Sequence, residues 1–407
     1  MLSQFTVKNY RSIKDEITLD MQATPNSEHP EHVFKLEEGK FNEKYLPLSV
    51  IYGPNGAGKS NIIEAFGAML NKIVSPMKTI FRDDHNERTH IKVTPFKLAK
   101  DTLNNPTEFE VYFTTSDSEY RYVLHVRRED VVFESLDRKK FSTNRISRLF
   151  VRKDVEIKLF NEFSKFKITK DISSNLPLLS YLGITYNTNI IVNDVISWLL
   201  FNVAVLNFGS PIRERTIKIP QNKERKLQFL NLLQNLDIDI VDFRMEEVDG
   251  RKDLYTKHIV DGFETELTLQ EESQGTAKLF SLLYYIITGL EEGRVLMVDE
   301  LDAKLHPKIL EYIIQLFSNP KINKNGAQLI FTSHDLYTMN STVFRRDEIW
   351  FVAKGNDQGS VLYSLAEFKQ DGKSIRKDAS FDKDYVLGKY GADPYLVRML
   401  EWEDING

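Results

Sequence analysis

The most constraining feature of this sequence is a glycine-rich turn between a short apolar run and a helical pattern. Residues 53–60 read GPNGAGKS and fit the spacing G-x-x-x-x-G-K-[ST] of a phosphate-binding loop. The preceding run, 48–52, predicts a buried strand, and residues 59–73 predict a helix. Glycines let backbone amides turn towards phosphates, and a helix N-terminus adds a favourable dipole. We therefore expect Lys59 to contact the β- and γ-phosphates and Ser60 to bind Mg²⁺.

Two later apolar strands end in side chains suited to nucleotide chemistry. Asp299 and Glu300 follow a predicted strand at 294–298, and His334 follows one at 328–331. In a sheet that also carries a phosphate loop, Asp299 would hold the Mg²⁺ shell and Glu300 would activate the attacking water as a general base. His334 would emerge beside the nucleotide, because ligands bind at the carboxyl edge of such sheets. An apolar strand that ends in acids is common, so the prediction depends on the phosphate loop.

A third element is the stretch ESQGT at residues 272–276, directly before an amphipathic helical pattern at 276–290. Ser273 is a good N-cap and Gly275 keeps the backbone open, so helix capping alone would explain both. The alternative is a second phosphate-recognition element. From here the pattern alternates strand and helix to residue 332, which predicts an α/β fold with a parallel sheet and helices on its faces.

The rest of the chain gives coarser signals. Residues 2–8 and 13–21 alternate with period two and predict a β-hairpin, whereas the polar stretch 22–47 predicts a long surface loop. Strand-like runs follow at 91–98, 107–115 and 120–127. Residues 128–262 are less readable, with helical patterns near 190–204 and 223–236, and we interpret them as an inserted region.

The four segments GPNGAGKS, LTLQEESQGT, VLMVDELDAKLHP and FTSHD resemble the Walker A, signature, Walker B with D-loop, and switch-histidine motifs of an ABC-type ATPase head. The lead-in FTVKNYRSIKDEITLDM and the long separation of Lys59 from Ser273 are similar to the SMC/RecF/OLD branch rather than to transporters. The resemblance implies a parallel core sheet with helices, an N-terminal antiparallel β-subdomain and an inserted α+β or helical region. It divides the chain into an N-terminal half-head at 1–127, an inserted lid or arm at 128–262, and a C-terminal half-head with its tail at 263–407.

Heads of this kind sandwich ATP between two protomers, so the resemblance implies a homodimer or higher oligomer. Ser273 and Gly275 of one subunit would contact the γ-phosphate held by Lys59 of the other, and Asp302 in the D-loop would cross the interface. The sequence ESQGT keeps a serine and a glycine of the transporter form LSGGQ but lacks its glycine pair. The other nucleotide-contact residues that the resemblance implies lie in the Walker A motif or the early hairpin: Gly53, Asn55, Gly56, Gly58, Asn61 and Arg11.

Within that branch, ESQGT, the early hairpin and the ending YVLGKYGADP are similar to ATPases of abortive-infection and restriction-associated systems, the AbiLi/RloA-like proteins. Their tail commonly reads G-R-Y-G-A-x-P, and Lys389 stands here in place of the arginine. This resemblance implies anti-phage defence, with the ATPase as sensor or gate for a separately encoded effector such as an RloB/AbiLii- or TOPRIM-type nuclease. Residues 335–407 lack the acidic motifs of a TOPRIM domain, so we do not expect this chain to be the nuclease.

Composition and charge limit which kinds of partner and which cellular compartment we expect for this chain. The chain carries 54 basic and 59 acidic residues, a formal charge of −5, so any nucleic-acid contact must be local. Basic residues outnumber acidic ones in 121–153, which is compatible with a DNA or RNA backbone contact and equally with a solvated face or a partner interface. With 0 cysteines there is no disulfide or thiolate metal site. No run is apolar enough for a signal peptide or membrane span, so we expect a cytoplasmic protein.

Three functions remain open from the sequence. The first is a defence ATPase whose nucleotide-gated dimer controls an effector, with slow, switch-like hydrolysis. The second is a RecF/SMC-like repair ATPase that acts directly on DNA. The third, the ATPase subunit of a transporter, ranks last because of the long separation before the signature and its altered form.

Overall fold

The computed structural model describes residues 1–81, 93–168, 172–208, 219–220, 222–248, 251–370, 373–376 and 379–392. In chain order the strands are β1 (Leu2–Lys8), β2 (Ile17–Asp20), β3 (Phe34–Glu38), β4 (Phe41–Tyr45), β5 (Leu48–Tyr52), β6 (Thr107–Thr114), β7 (Ser118–Arg127), β8 (Asp130–Lys140), β9 (Ile146–Lys153), β10 (Glu156–Leu159), β11 (Val203–Asn207), β12 (Asp242–Val248), β13 (Arg251–Val260), β14 (Phe263–Thr268), β15 (Val295–Asp299), β16 (Gln328–Thr332), β17 (Ile349–Lys354), β18 (Ser360–Ser364), β19 (Lys369–Gln370) and β20 (Lys373–Ser374). The helices are α1 (Lys59–Phe81), α2 (Leu178–Thr185), α3 (Ile190–Phe201), α4 (Lys223–Asn235), α5 (Gln274–Glu292), α6 (Pro307–Ser318) and α7 (Phe381–Val386).

The core sheet positions the candidate site. Its strand order is β11-β15-β16-β5-β17-β18, parallel from β11 through β17, with β18 antiparallel to β17. Every residue of β5, β15 and β16 is buried, as expected for parallel strands covered on both faces. The carboxyl ends of these three strands therefore meet at one edge of the sheet. The predicted α/β fold with a parallel core sheet is confirmed.

The hydrophobic core lies on both faces of this sheet, because successive residues of a strand point to opposite sides. Ile51 and Ile330 join one apolar cluster with α1, α2, α3 and the N-terminal sheet. Val50 and Phe331 join a second cluster with α4, α5 and α6. The two faces of the sheet thus carry different parts of the chain.

The helix predictions are confirmed, with shifted ends. The helix predicted at 59–73 continues to Phe81, and those predicted near 190–204, 223–236 and 276–290 are α3, α4 and α5. Local capping explains several boundaries: the Asn189 side chain accepts from the backbone of α3, and Gly293 ends α5 at φ 66°. No helix among the described residues combines the length and apolarity that a membrane crossing requires.

The second large sheet is antiparallel, in the order β10-β9-β8-β7-β6-β1-β2. It contains the predicted N-terminal hairpin, in which Gln4 lies opposite Asp20, and the strands predicted at 107–115 and 120–127. The sheet continues through residue 127, because β8 pairs with β7 from Arg127↔Asp130 to Ser118↔Lys140. The first strands of the predicted inserted region therefore belong to the same sheet as the N-terminal strands.

Two local predictions are wrong. The predicted loop 22–47 contains the β3–β4 hairpin, because the apolar side chains of Phe41 and Tyr45 are buried and Phe41 stacks on Phe141 with ring centroids 4.2 Å apart. The predicted strand 91–98 is irregular over its described part, 93–98. There the backbone N–H of Phe96 donates to Asn9 Oδ1 at 3.0 Å, so the segment bonds to a turn instead of a strand.

Within the predicted inserted region, α4 and the three-stranded sheet β12-β13-β14 pack on α5. The rings of Phe229, Phe243 and Phe280 meet pairwise with centroids 4.7–5.2 Å apart. Edge-to-face and tilted contacts of this kind add to the stability gained by burying the rings. The strand β14 leads directly into the ESQGT stretch, so this packing fixes the start of α5.

Candidate functional site

The phosphate loop joins β5 to α1 as predicted. Gly53 and Gly58 adopt φ of 153° and 110°, and a Cβ on Gly53 would lie 2.3 Å from the carbonyl oxygen of Val352. The loop therefore needs glycine for both backbone angle and close approach. Lys59 Nζ donates to the carbonyl oxygen of Gly53 at 2.8 Å and to that of Pro54 at 3.3 Å. Burial lowers the pKa of Lys59 to about 8, against the attraction of the carboxylates of Asp299, Asp302 and Glu300.

The turn between β1 and β2 touches the first turns of α1. The Arg11 guanidinium pairs with the Glu64 carboxylate and donates to Asn61 Oδ1 at 3.4 Å. Asn61 Nδ2 donates to Ser12 Oγ at 2.7 Å. The structure thus brings the predicted residues Arg11 and Asn61 together at the start of α1, next to Ser60. The other predicted loop residues, Asn55 and Gly56, lie in the turn itself.

The acidic pair lies at the carboxyl end of β15 and is tied to the end of β16. Thr332 Oγ1 donates to Asp299 Oδ1 at 2.7 Å and accepts from the backbone N–H of Glu300 at 2.7 Å. Asp299 is buried, and Glu300 has a positive φ of 54° that turns the chain out of the strand. One hydroxyl therefore fixes the carboxylate of Asp299 and the backbone of Glu300. Thr332 is not among the site residues predicted from the sequence, although it precedes Ser333 and His334 at the end of a predicted strand.

The predicted D-loop aspartate and switch histidine contact each other. Asp302 Oδ2 accepts from the backbone N–H of His334 at 2.9 Å, whereas the buried Asp302 Oδ1 has no hydrogen-bond partner among the described residues. His334 is exposed at the sheet edge. Partial burial and then the Lys59 charge lower the pKa of His334, which favours the neutral imidazole. Lys59, Asp299, Glu300 and His334 therefore form one electrostatic group.

The predicted signature residues lie at the N-terminus of α5. Ser273 Oγ accepts from the backbone N–H of Thr276 at 3.1 Å, so the helix-capping interpretation holds. Ser273 is nevertheless exposed, and its hydroxyl is accessible to another molecule. A Cβ on Gly275 would lie 2.9 Å from the carbonyl oxygen of Lys304, so this glycine lets α5 approach the D-loop.

A cavity of about 580 Å³ adjoins the phosphate loop. Its wall includes residues 53–55, His334 and the C-terminal residues Tyr385, Gly391 and Ala392. Tyr385 stacks on Phe351 with centroids 5.5 Å apart, which holds the tail against the core sheet. The tail therefore lies at the end of the molecule that carries the phosphate loop, and residues 393–407 lie outside the described residues.

The residues present suit a magnesium ion. Thr332 uses only Oδ1 of Asp299, which leaves Oδ2 as an oxygen ligand, and Ser60 lies in the first turn of α1, next to the loop. Oxygen donors of this kind are the ligands that Mg²⁺ prefers. In the described part of the chain one further group has metal-binding side chains close together, His29, Glu31 and His32. There His29 already contacts Glu31 and the Ser341 carbonyl oxygen, so the group is explained by hydrogen bonds.

Part of the positive charge in the basic stretch 121–153 is neutralised by acidic residues of the same chain. Arg121 pairs with Glu110 at 2.8 Å, Arg138 with Asp117 at 2.9 Å, and Arg148 with Asp137 at 2.8 Å. Arg152 is buried and donates to backbone carbonyl oxygens. These ion pairs follow from cross-strand positions that the sequence does not reveal. They leave less free positive charge than the composition indicates.

Fold and site together define a phosphate-loop nucleotide-binding protein of the ATPase-head class. The chain belongs to the AAA_21 family, described as "AAA domain, putative AbiEii toxin, Type IV TA system", whose model matches residues 48–340. That match spans more than half of the chain and contains the phosphate loop, the acidic pair and the switch histidine. None of the curated proteins compared with the chain matches it.

Solved structures that are similar to the chain include SMC head domains. The SMC head domain from Thermotoga maritima is 13% identical with a TM-score of 0.42, covering 89% of this chain and 98% of that one. The Smc head domain of Pyrococcus furiosus, bound to the C-terminal domain of ScpA, is 11% identical with a TM-score of 0.41, covering 89% and 96%. RecF, described as a recombination mediator protein, is 13% identical with a TM-score of 0.28, covering 90% and 98%.

Proposed function

We propose that this chain binds ATP with Mg²⁺ at the phosphate loop and hydrolyses it slowly to ADP and phosphate. The observation that carries the proposal is the Thr332 hydroxyl, which holds Asp299 and the backbone of Glu300 at the sheet edge where Lys59 lies. Phosphoryl transfer depends mainly on positioned charges of this kind. Membership of an AAA family supports the same reaction class.

Each residue has a distinct role in the proposed reaction. Glu300 accepts a proton from the attacking water, and the Lys59 ammonium balances negative charge on the transferred phosphate. A Mg²⁺ ion held by Ser60 and Asp299 would neutralise the β- and γ-phosphate oxygens. The neutral, exposed His334 is proposed to contact the γ-phosphate, and its backbone is held by Asp302.

We further propose that two heads sandwich the nucleotide. Ser273 is exposed at the N-terminus of α5, where free backbone N–H groups and the helix dipole favour a phosphate. In this arrangement Ser273 and Gly275 of one protomer complete the site around Lys59 of its partner. The active species would be a homodimer or a higher oligomer, assembled when ATP is bound and separated after hydrolysis.

The biological role that we propose is a nucleotide-gated switch in anti-phage defence, acting on a separately encoded effector such as a nuclease. The family description, which names an AbiEii toxin and a toxin–antitoxin system, supports a role of this class. So does the C-terminal tail, because a segment that borders the same cavity as residues 53–55 of the phosphate loop can respond to the nucleotide. A direct DNA contact through 121–153 is less supported, because acidic partners neutralise Arg121, Arg138 and Arg148.

The test uses Glu300→Gln, which should retain ATP binding while hydrolysis falls by about 10²- to 10⁴-fold, the usual contribution of a general base. The mass of this variant is measured with and without Mg-ATP, alone and with the product of the neighbouring gene. We expect an ATP-dependent dimer that captures the neighbour. Unchanged turnover would remove Glu300 from its role, and ATP binding without assembly, together with salt-sensitive DNA binding, would favour the repair function instead.

A second variant separates the sandwich from simple capping. Ser273→Arg should abolish ATP-dependent dimerisation in light scattering and leave nucleotide binding intact, because Ser273 lies outside the phosphate loop of its own chain. Ser273→Asn is the matched control for the cap, because asparagine is also a good N-cap residue. Loss of ATP binding in Ser273→Arg would show that Ser273 acts only within its own protomer.

A further inference from the structure

One buried lysine in the site has no assigned role. Lys278 lies in the second turn of α5, with only 2% of its surface exposed. Its Nζ donates to the carbonyl oxygens of Glu300 at 2.7 Å, Leu301 at 2.8 Å and Ala303 at 2.8 Å. An ammonium group has three N–H donors, so all of them are used by one short loop. We name residues 300–304 the D-loop.

The D-loop has a backbone that needs such support. Glu300 and Lys304, at its two ends, have positive φ angles of 54° and 64°, which non-glycine residues adopt at a cost. The intervening turn directs three carbonyl oxygens to one point inside the protein. Without a cation there, these dipoles would repel one another in a site with little water. The Lys278 ammonium therefore stabilises this conformation of the loop.

The position is also costly for the lysine itself. Burial lowers the pKa of Lys278 to about 8, although the charges of Asp302 and Glu300 oppose the shift. The charge of Lys304 acts in the same direction as burial, and the ring of Phe208 closes the site, with its centroid 4.9 Å from Nζ. If this side chain served packing alone, an apolar side chain of the same length would fill the space without the free-energy cost of burying a charge.

The D-loop is held from its other side by the end of β16. The backbone N–H of Glu300 donates to Thr332 Oγ1 and that of Leu301 to the Thr332 carbonyl oxygen, and Asp302 holds the backbone of His334. Lys278 therefore connects the D-loop to α5, on the side of the loop opposite β16. Gly275 lets α5 lie close to the same loop, because a Cβ at this position would be 2.9 Å from the Lys304 carbonyl oxygen.

We propose that Lys278 is a positioning residue, through which the signature helix α5 fixes the D-loop and the backbone of the general base Glu300. This inference rests on the proposed ATPase function. A nucleotide bound by Ser273 and Gly275 at the end of α5 would act on Glu300 through the three Lys278 hydrogen bonds. Contact between α5 of one protomer and ATP held by its partner would thereby be coupled to the Glu300 carboxylate of the same protomer as α5.

The test is Lys278→Met, which keeps an unbranched apolar stem and removes the ammonium. We expect kcat for ATP to fall by about 10²-fold, as small displacements of a catalytic group do, with the affinity for ATP unchanged. Amide hydrogen exchange in residues 301–305 should accelerate relative to wild type. The matched control is Lys72→Met, because Lys72 is also buried and donates to one backbone carbonyl oxygen, Glu129, away from the D-loop.

The outcomes separate this inference from the proposed function. Unchanged exchange in residues 301–305, or a fall in kcat no larger than that of Lys72→Met, would overturn the role of Lys278. A loss of ATP affinity and kcat in proportion to a lower melting temperature would also overturn it, because that pattern indicates a purely structural lysine. If the wild-type protein has no ATPase activity, the proposed function fails, and the exchange measurement still decides whether Lys278 holds the D-loop.

Discussion

Replacing Thr332 by valine tests whether one hydroxyl organises the acidic pair. The substitution keeps the branched shape and removes the Oγ1 atom that bonds both Asp299 Oδ1 and the backbone N–H of Glu300, each at 2.7 Å. Thr332 is fully buried, so water does not replace the hydroxyl freely. The change therefore removes a donor from the Asp299 carboxylate and, at the same time, an acceptor from the part-buried backbone N–H of Glu300.

The expected magnitude follows from these two contacts. A hydrogen bond to a charged group contributes about 1.5–3 kcal/mol, and an unsatisfied buried donor costs about 1–3 kcal/mol. Because the two effects share one side chain, we expect the free energy of unfolding to fall by about 2–4 kcal/mol rather than by their full sum. Turnover should fall by about 10²-fold, because Asp299 and Glu300 lose their common anchor.

The assay is urea unfolding with parallel measurement of kcat and ATP affinity. Thr288→Val is the control, because Thr288 is also buried but donates to a backbone carbonyl oxygen of its own helix, Tyr284 at 2.8 Å. We expect this control to lose about 1 kcal/mol and no activity. Equal stability and equal kcat for Thr332→Val and Thr288→Val would refute the reasoning.

Three further predictions concern other parts of the molecule. Because the pKa of Lys59 is lowered to about 8, the Lys59 side chain of the free protein loses its proton above this pH. ATP binding should then weaken and be accompanied by uptake of a proton, which calorimetry in buffers of different ionisation enthalpy would detect. Identical proton uptake in Lys59→Arg would contradict the assignment to Lys59. Gly275→Ala should lower the free energy of unfolding by about 1–3 kcal/mol, since its Cβ would lie 2.9 Å from a backbone oxygen; an unchanged melting temperature would contradict the close approach. Asp137→Asn should steepen the salt dependence of DNA binding measured by fluorescence anisotropy, because Asp137 contacts both Arg148 and Arg121; an unchanged slope would show that these arginines do not reach DNA.

The parts of the site that the sequence predicts are those carried by short local patterns. Lys59 lies in a loop whose spacing has few other uses, and Asp299 and His334 each follow a run of buried residues. Parallel strands place such ends at one sheet edge, so the sequence alone predicts that these three segments lie close together.

The rest depends on contacts between distant residues, which local patterns do not encode. The segment 22–47 is polar overall, and it folds as a hairpin because Phe41 and Tyr45 are buried and Phe41 stacks on Phe141, about a hundred residues further along the chain. Composition alone gives the charge of 121–153, whereas the pairing of β7 with β6, and of β8 with β7 and β9, decides that Arg121 and Arg148 face acids. Lys278 gave no signal because its partners are backbone oxygens.

The place of β5 in the core sheet also orders the events of synthesis. β5 is made early, yet its neighbours are β16 and β17, which end at Thr332 and Lys354. At ribosomal rates of about 5–20 residues per second, the strand before the phosphate loop waits on the order of tens of seconds for both partners. The five residues of β5, all of them buried in the folded protein, must be shielded from other chains during that interval. Strand pairings between residues so far apart in the chain also slow folding. A nascent or truncated chain that stops before β17 therefore has the complete Walker A sequence without the sheet that shapes it into a binding site.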